Sequence, residues 1–303
     1  MIRVLVTDGM EKSAIKELKA KGFEVVQEFY EADILGEKLK DFDVIVVRSA
    51  TKLRQPVIDK AVGAGRLKLI IRGGVGVDNI DVAYAIENGI KVTNTPNASS
   101  ASVAELAIAH MFAVSRFINI SNVAMRQGIW DKKKYVGVEI AGKILGLVGF
   151  GRISRELAKK ATALGMKVIY TDIVGKVNDC DEYEFFELDD LLKKADYVSL
   201  HIPFIKKHGA TIGKDQLDMM KEGAFLINCA RGGVVDEAAL VEALDSGKLA
   251  GAGVDVFVEE PTRNEELVNH PKVSVTPHIG AATAEAQTRI GTEITSIILE
   301  YFK

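Results

Sequence analysis

The chain has 303 residues, 48% hydrophobic and 27% charged, with a net charge of −3. This length suits two separate cores, and the near-balanced charge excludes the basic footprint of a nucleic-acid or acidic-membrane binder. Two cysteines, Cys180 and Cys229, make neither a disulfide framework nor a metal-ligand spacing, so no metal is expected. The opening MIRVLVTDGM is charged too early for a signal peptide, and no apolar run reaches membrane-spanning length. The expectation is a cytoplasmic protein.

From the N-terminus, five short apolar runs read as strands: Arg3 to Thr7, Glu24 to Val26, Asp43 to Val47, Leu67 to Ile71 and Ile90 to Thr93. Helical spacing lies between them, as in Val57-Ile58-Val62 and Ile80-Ala83-Ile86, which predicts a small doubly wound domain. It ends at Asn94-Thr95-Pro96-Asn97, because proline disfavours helix at the residue before it. A long helix follows, opened by the capping-box spacing Ser102-Val103-Ala104-Glu105, and apolar around most of its circumference. The segment Met125 to Tyr135 has no period; it reads as a solvated face or as a subunit or substrate contact.

Lys143 to Asp172 organises the second half. The buried-strand run Ile144 to Val148 ends at Gly149-Phe150-Gly151; a helix with an apolar stripe follows, and the next strand, Lys167 to Thr171, delivers Asp172. Gly149 frees the turn and Gly151 lets a pyrophosphate approach, while Asp172 is placed to accept from a ribose diol and to repel a ribose phosphate, favouring NAD over NADP. Ser154 replaces the third glycine of the usual fingerprint, and a plain strand-to-helix turn is the competing reading. Four further strands, Tyr197 to His201, Phe225 to Cys229, Gly251 to Asp255 and Val273 to Thr276, bring the second domain to six. The final helical stretch, Thr283 to Lys303, is expected to return to the first domain. The predicted fold class is α/β, with two doubly wound parallel-sheet domains: a Rossmann NAD-binding domain (98–283) inserted in a flavodoxin-like substrate domain (1–97 plus 284–303).

Ligands of open α/β sheets bind beyond the carboxyl ends of the strands. Arg48, Arg72, Arg231, Asp255 and His278 all follow strands there. His278 is the candidate acid or base, since imidazole titrates near ~6.5 and a carbinol losing hydride must lose its hydroxyl proton to a base within roughly 3 Å. A neighbouring carboxylate would orient the ring; Glu260 and Glu259 both qualify by composition. Arg231, at the head of Arg231-Gly232-Gly233, suits a substrate carboxylate. Asp255 reads equally as a nicotinamide carboxamide acceptor or as a strand-end cap.

These residues resemble the D-isomer-specific 2-hydroxyacid dehydrogenases over essentially the whole chain. The specific marks are GFGRIS at Gly149 to Ser154 with Asp172, CARGGVVDEAAL at Cys229 to Leu240, GVDVFVEEP at Gly253 to Pro261, and TPHIGAAT at Thr276 to Thr283. The resemblance implies a catalytic set of Arg231, Glu260 and His278, the EP pair selecting Glu260 over Glu259. It also implies cofactor contacts from Arg152, Ile153, Asp172, Cys229, Ala230, Asp255 and Gly280, and a homodimer through the long helix and the Trp130 region.

Within the family the chain is most similar to members acting on 3-phosphoglycerate, through VVRSATKL, IIRGGVGVDNID and NTPNASSASVAEL. Arg48 and Arg72 would then bind the phosphate, and the Gly73 and Gly74 amides the carboxylate alongside Arg231. The sequence stops at Lys303, so a short form without a C-terminal regulatory domain is expected. The alternatives are a hydroxypyruvate or glyoxylate reductase sharing the same catalytic set, and an NAD-sensing corepressor-type binding protein.

Overall fold

Short, largely apolar runs build two parallel sheets in the computed structural model, which describes residues 1–178 and 180–303. The described residues divide into two units, Met1–Ser99 with Ala281–Lys303, and Ser100–Gly280.

The first unit alternates β1 (Arg3–Val6), α1 (Lys12–Ala20), β2 (Glu24–Gln27), α2 (Ala32–Lys38), β3 (Val44–Val47), α3 (Gln55–Val62), β4 (Leu69–Arg72), α4 (Val82–Glu87) and β5 (Lys91–Asn94). Its strands lie in the flavodoxin-like order β2-β1-β3-β4-β5, every pair parallel. Val4 to Val6 and Val44 to Val47 are buried throughout, as strands covered on both faces must be.

The second unit begins with α5 (Ser100–Ser115) and α6 (Ile118–Arg126), then runs β6 (Ile144–Val148), α7 (Arg152–Ala163), β7 (Lys167–Thr171), β8 (Glu184–Phe185), α8 (Leu188–Lys194), β9 (Tyr197–Leu200), α9 (Lys214–Met219), β10 (Ala224–Asn228), α10 (Glu237–Asp245), β11 (Leu249–Val254), α11 (Glu265–Val268) and β12 (Val273–Val275). The sheet order is β12-β11-β10-β9-β6-β7-β8, so the chain reverses direction between β6 and β9. The sheet has seven strands, not the expected six. The added one, β8, is two residues long, too short to carry any alternation. The long helix also starts earlier than expected: Ser102 is buried inside the first turn of α5, and Glu105 pairs with Lys160 at 3.0 Å.

The final helix, α12 (Ala284–Tyr301), is capped by Thr283, whose hydroxyl accepts from the Ala286 amide. Its Ile290, Ile294 and Ile298 join Val4, Val6, Ile15 and Leu18 in one apolar cluster of the first unit. Each such side chain contributes ~1.5–3 kcal/mol in gross burial. Close approach to α1 needs Gly291, where a Cβ would lie 2.9 Å from that of Ala14.

Candidate active site

The glycine turn comes first because it sits at the reversal point of the seven-stranded sheet. Gly149 has φ +86°, and a Cβ there would stand 2.7 Å from the His201 carbonyl oxygen at the end of neighbouring β9. Gly151 precedes α7 and has no side chain to cap it, which leaves the first-turn amides at Arg152 and Ile153 for an anion. A Cβ on Gly151 would meet nothing within 4 Å, so this turn presents open space where a pyrophosphate must approach. Ser154, fully buried, donates its hydroxyl to the Gly149 carbonyl and so ties the helix to the turn. Asp172 follows β7. One carboxylate oxygen accepts from the Phe150 amide at 2.7 Å and the other from Val174 at 3.1 Å, which aims the group at the turn while further lone pairs remain for a diol. This arrangement fits a dinucleotide.

Glu260, beyond β11, and His278, beyond β12, come together as a pair. His278 Nδ1 lies 2.7 Å from Glu260 Oε2, both side chains about one-third exposed. Burial raises the Glu260 carboxyl, but the His278 hydrogen bond and charge, the Phe257 amide and the Arg231 charge outweigh it and hold the group below its ordinary value. An ionised Glu260 only accepts, so Nδ1 carries the hydrogen and Nε2 keeps the lone pair that a general base needs. His278 adopts φ +53°, a left-handed conformation costing a side-chain-bearing residue roughly 1–2 kcal/mol. Its amide donates to the Asp255 carbonyl at 2.8 Å, which helps hold it there.

Asp255, 1% exposed, accepts from the Thr276 hydroxyl (2.6 Å) and from the Ile279 and Gly280 amides (2.8 and 2.9 Å). The strand-end cap is therefore realised, with Gly280 as one of its ligands. After β10, Cys229 is buried, and burial with the Asp255 charge pushes its thiol up, so it is inert as a nucleophile. Asn228 spans the next turn, accepting from the Ala230 amide (3.1 Å) and donating to the Arg231 carbonyl (3.0 Å). Arg231 Nη1 donates to the Ala230 carbonyl at 2.5 Å. Gly232 explains how this turn approaches the Glu260 segment: a Cβ there would fall 1.8 Å from the Phe257 carbonyl oxygen.

The remaining candidates belong to the first unit. Arg48, at the end of β3, donates from its amide to Asp8 and from Nη1 to Gln287, both at 2.6 Å. Burial lowers its pKa and the Asp8 charge opposes this, but guanidinium remains a cation. Arg72 lies over Gly74, where a Cβ would fall 1.5 Å from Nη1. The expected carboxylate-holding amides differ from the expectation. Gly73 N–H donates to Val47 at 2.8 Å and Gly74 N–H to Arg72 at 2.9 Å, because the chain turns back on β3 and on itself.

Thr276, Asn228 and His201 were not singled out from sequence. Thr276 stood inside the TPHIG motif beside a histidine that drew the attention, and Asn228 inside an apolar strand. His201 Nε2 is 3.0 Å from the Ser199 hydroxyl, and complete burial lowers the ring to about 4. It stays neutral at working pH.

A glycine turn followed by an acid, in one sheet with a carboxylate-supported imidazole and an arginine, points to a dinucleotide-dependent dehydrogenase. Residues 108–280 match the family model described as D-isomer specific 2-hydroxyacid dehydrogenase, NAD binding domain. The chain belongs to the D-isomer-specific 2-hydroxyacid dehydrogenase family, and its cofactor is NAD. It is 45% identical over 295 residues to a D-3-phosphoglycerate dehydrogenase of Methanocaldococcus jannaschii, covering 96% of this chain and 56% of that protein. It thus spans about half the length of that relative. It is also 45% identical over 303 residues to a hydroxypyruvate reductase of Thermotoga maritima, covering 98% and 97%. Among solved structures, the NAD-dependent formate dehydrogenase from Staphylococcus aureus in complex with NAD superimposes with a TM-score of 0.87 at 27% identity, covering 100% and 96%.

Proposed function

We propose that this dehydrogenase reversibly oxidises D-3-phosphoglycerate to 3-phosphohydroxypyruvate, the first step of L-serine biosynthesis. The observation that carries the substrate is the pair Arg48 and Arg72, at the ends of adjacent strands β3 and β4 and each packed on a glycine. Two cations suit an acid that bears a phosphate beyond its carboxylate.

NAD supplies the hydride acceptor. Oxidation of the carbinol takes away a carbon-bound hydride and a hydroxyl proton. His278 Nε2 takes the proton, and the ionised Glu260 stabilises the imidazolium through the 2.7 Å bond. Arg231 binds the substrate carboxylate and polarises the neighbouring carbonyl as it forms. Asp172 would accept from the ribose diol, the amides of Arg152 and Ile153 would receive the pyrophosphate, and the β10 turn at Cys229 and Ala230, with Asp255 and Gly280, would hold the nicotinamide end.

A second reading, reduction of hydroxypyruvate, is favoured by the Thermotoga maritima relative's name. Following NADH absorbance with NAD and either 3-phosphoglycerate or glycerate, with Arg48→Ala alongside, decides between them. Turnover of the phosphorylated acid alone, weakened in the variant, supports the proposal; preference for the unphosphorylated acid supports the reductase.

The same reading has two copies meeting through the segment around Trp130, where Val123, Met125, Ile129, Trp130 and Val136 are all exposed. Sedimentation of the protein and of Trp130→Asp tests it, a monomeric wild type being the adverse result.

A further inference from the structure

His110 lies on α5 and is 2% exposed, a polar side chain on an apolar helix. Its Nδ1 is 2.8 Å from the Ser274 hydroxyl and its Nε2 is 3.0 Å from the Thr276 hydroxyl, so both ring nitrogens are engaged by residues at the end of β12. Asn119 of α6 donates to Ser274 Oγ at 2.7 Å. Space for the ring base comes from Gly253 of β11, where a Cβ would stand 2.5 Å from that of His110.

The direction of every bond in this series follows from its end. The Asp255 carboxylate only accepts, so the Thr276 hydroxyl, 2.6 Å away, must donate to it. The Thr276 oxygen is then left to accept from His110 Nε2–H. A neutral ring with its hydrogen on Nε2 accepts at Nδ1, so Ser274 donates there and itself accepts from the Asn119 amide. Each donor meets one acceptor, and the series terminates on the charge that also holds the Ile279 and Gly280 amides. Burial lowers the pKa of His110 against the opposing Asp255 charge, in keeping with the neutral ring.

We propose that His110 is a positioning residue for the catalytic loop: its Nε2–H turns the Thr276 hydroxyl onto Asp255, and Asp255 fixes the backbone at the His278 imidazole, its carbonyl holding the His278 amide and its carboxylate the Ile279 and Gly280 amides. His110 touches no reacting atom. Its effect is exerted on where His278 Nε2 stands.

The proposal rests on His278 being the proton acceptor, which His278→Ala tests separately. Two measurements on the full chain test His110 itself. In steady-state assays, His110→Leu, which removes the donor, lowers kcat by roughly 10- to 100-fold, the scale of a misplaced catalytic group, with little change in substrate KM. His110→Gln, whose amide nitrogen can reach Thr276, restores most of the loss. Equal loss in both variants, or wild-type kcat in the leucine variant, overturns the proposal. In nitrogen-15 spectra of wild-type protein labelled at histidine, His110 is expected as the neutral Nε2–H tautomer. A hydrogen on Nδ1 alone, or a charged ring, overturns it even where a variant fails to fold, and this result does not depend on the role of His278.

Discussion

Arg48 in the first unit and the Glu260–His278 pair in the second all stand beyond the carboxyl ends of parallel strands, yet their charges are managed in opposite ways. The Arg48 guanidinium donates to a neutral acceptor, the Gln287 amide oxygen, while the nearby Asp8 carboxylate is taken up by the Arg48 backbone amide. Glu260 and His278 are held by each other, so the environment sets which of them carries the proton. Under the proposed function the first arrangement serves binding and the second serves chemistry. A binding cation tolerates a partner that never ionises, whereas a base needs one that stays charged throughout turnover.

Substitutions can break this contrast. The largest effect is expected from His278→Ala, which removes the proton acceptor and should lower kcat about 10²- to 10⁴-fold, followed as NADH formation by a protein of unchanged thermal midpoint. Arg48→Ala removes one charge-assisted contact, and kcat/KM for the phosphorylated acid should fall roughly 10- to 100-fold while that for the unphosphorylated acid holds. Equal losses on both acids would make Arg48 structural. Asp172→Asn keeps an acceptor for the Phe150 amide but loses the charge; KM for NAD should rise about tenfold and discrimination against NADP should shrink, read from paired titrations of the two cofactors.

The smallest effect sharpens the comparison from the stability side. Glu260 ionises more readily in the folded chain than its ordinary value of 4.5, so its contribution is complete above that pH and is lost as pH falls through the depressed value. Glu260→Gln cannot ionise, so urea midpoints measured from roughly pH 7 to 3 should fall less steeply than in the wild type. An unchanged slope would mean that the pair adds nothing to acid stability.

Much of this was legible in the residues. Strands covered on both faces declare themselves as unbroken apolar runs, and the glycine turn with its following acid is a local pattern. His278 stood out because it follows a strand and Glu260 through the EP pair of the resemblance, and the structure brings the two within 2.7 Å. What was hidden depends on tertiary contact. β8 pairs two residues with β7 and leaves no period. Engagement of the Gly73 and Gly74 amides comes from the chain's return to Val47 and Arg72, which no spacing reveals. His110 looked like one more position on a core helix, since its partners at Ser274 and Thr276 lie more than 160 residues away.

The insertion of one unit within the other bears on synthesis. Residues 100–280 are continuous and need no segment outside them to complete their sheet, but the β1 cluster waits for α12, whose isoleucines are made after that whole stretch. Released chains truncated before Ala284 should therefore yield a protease-resistant core from the middle of the sequence, with the earliest-made residues still cleavable.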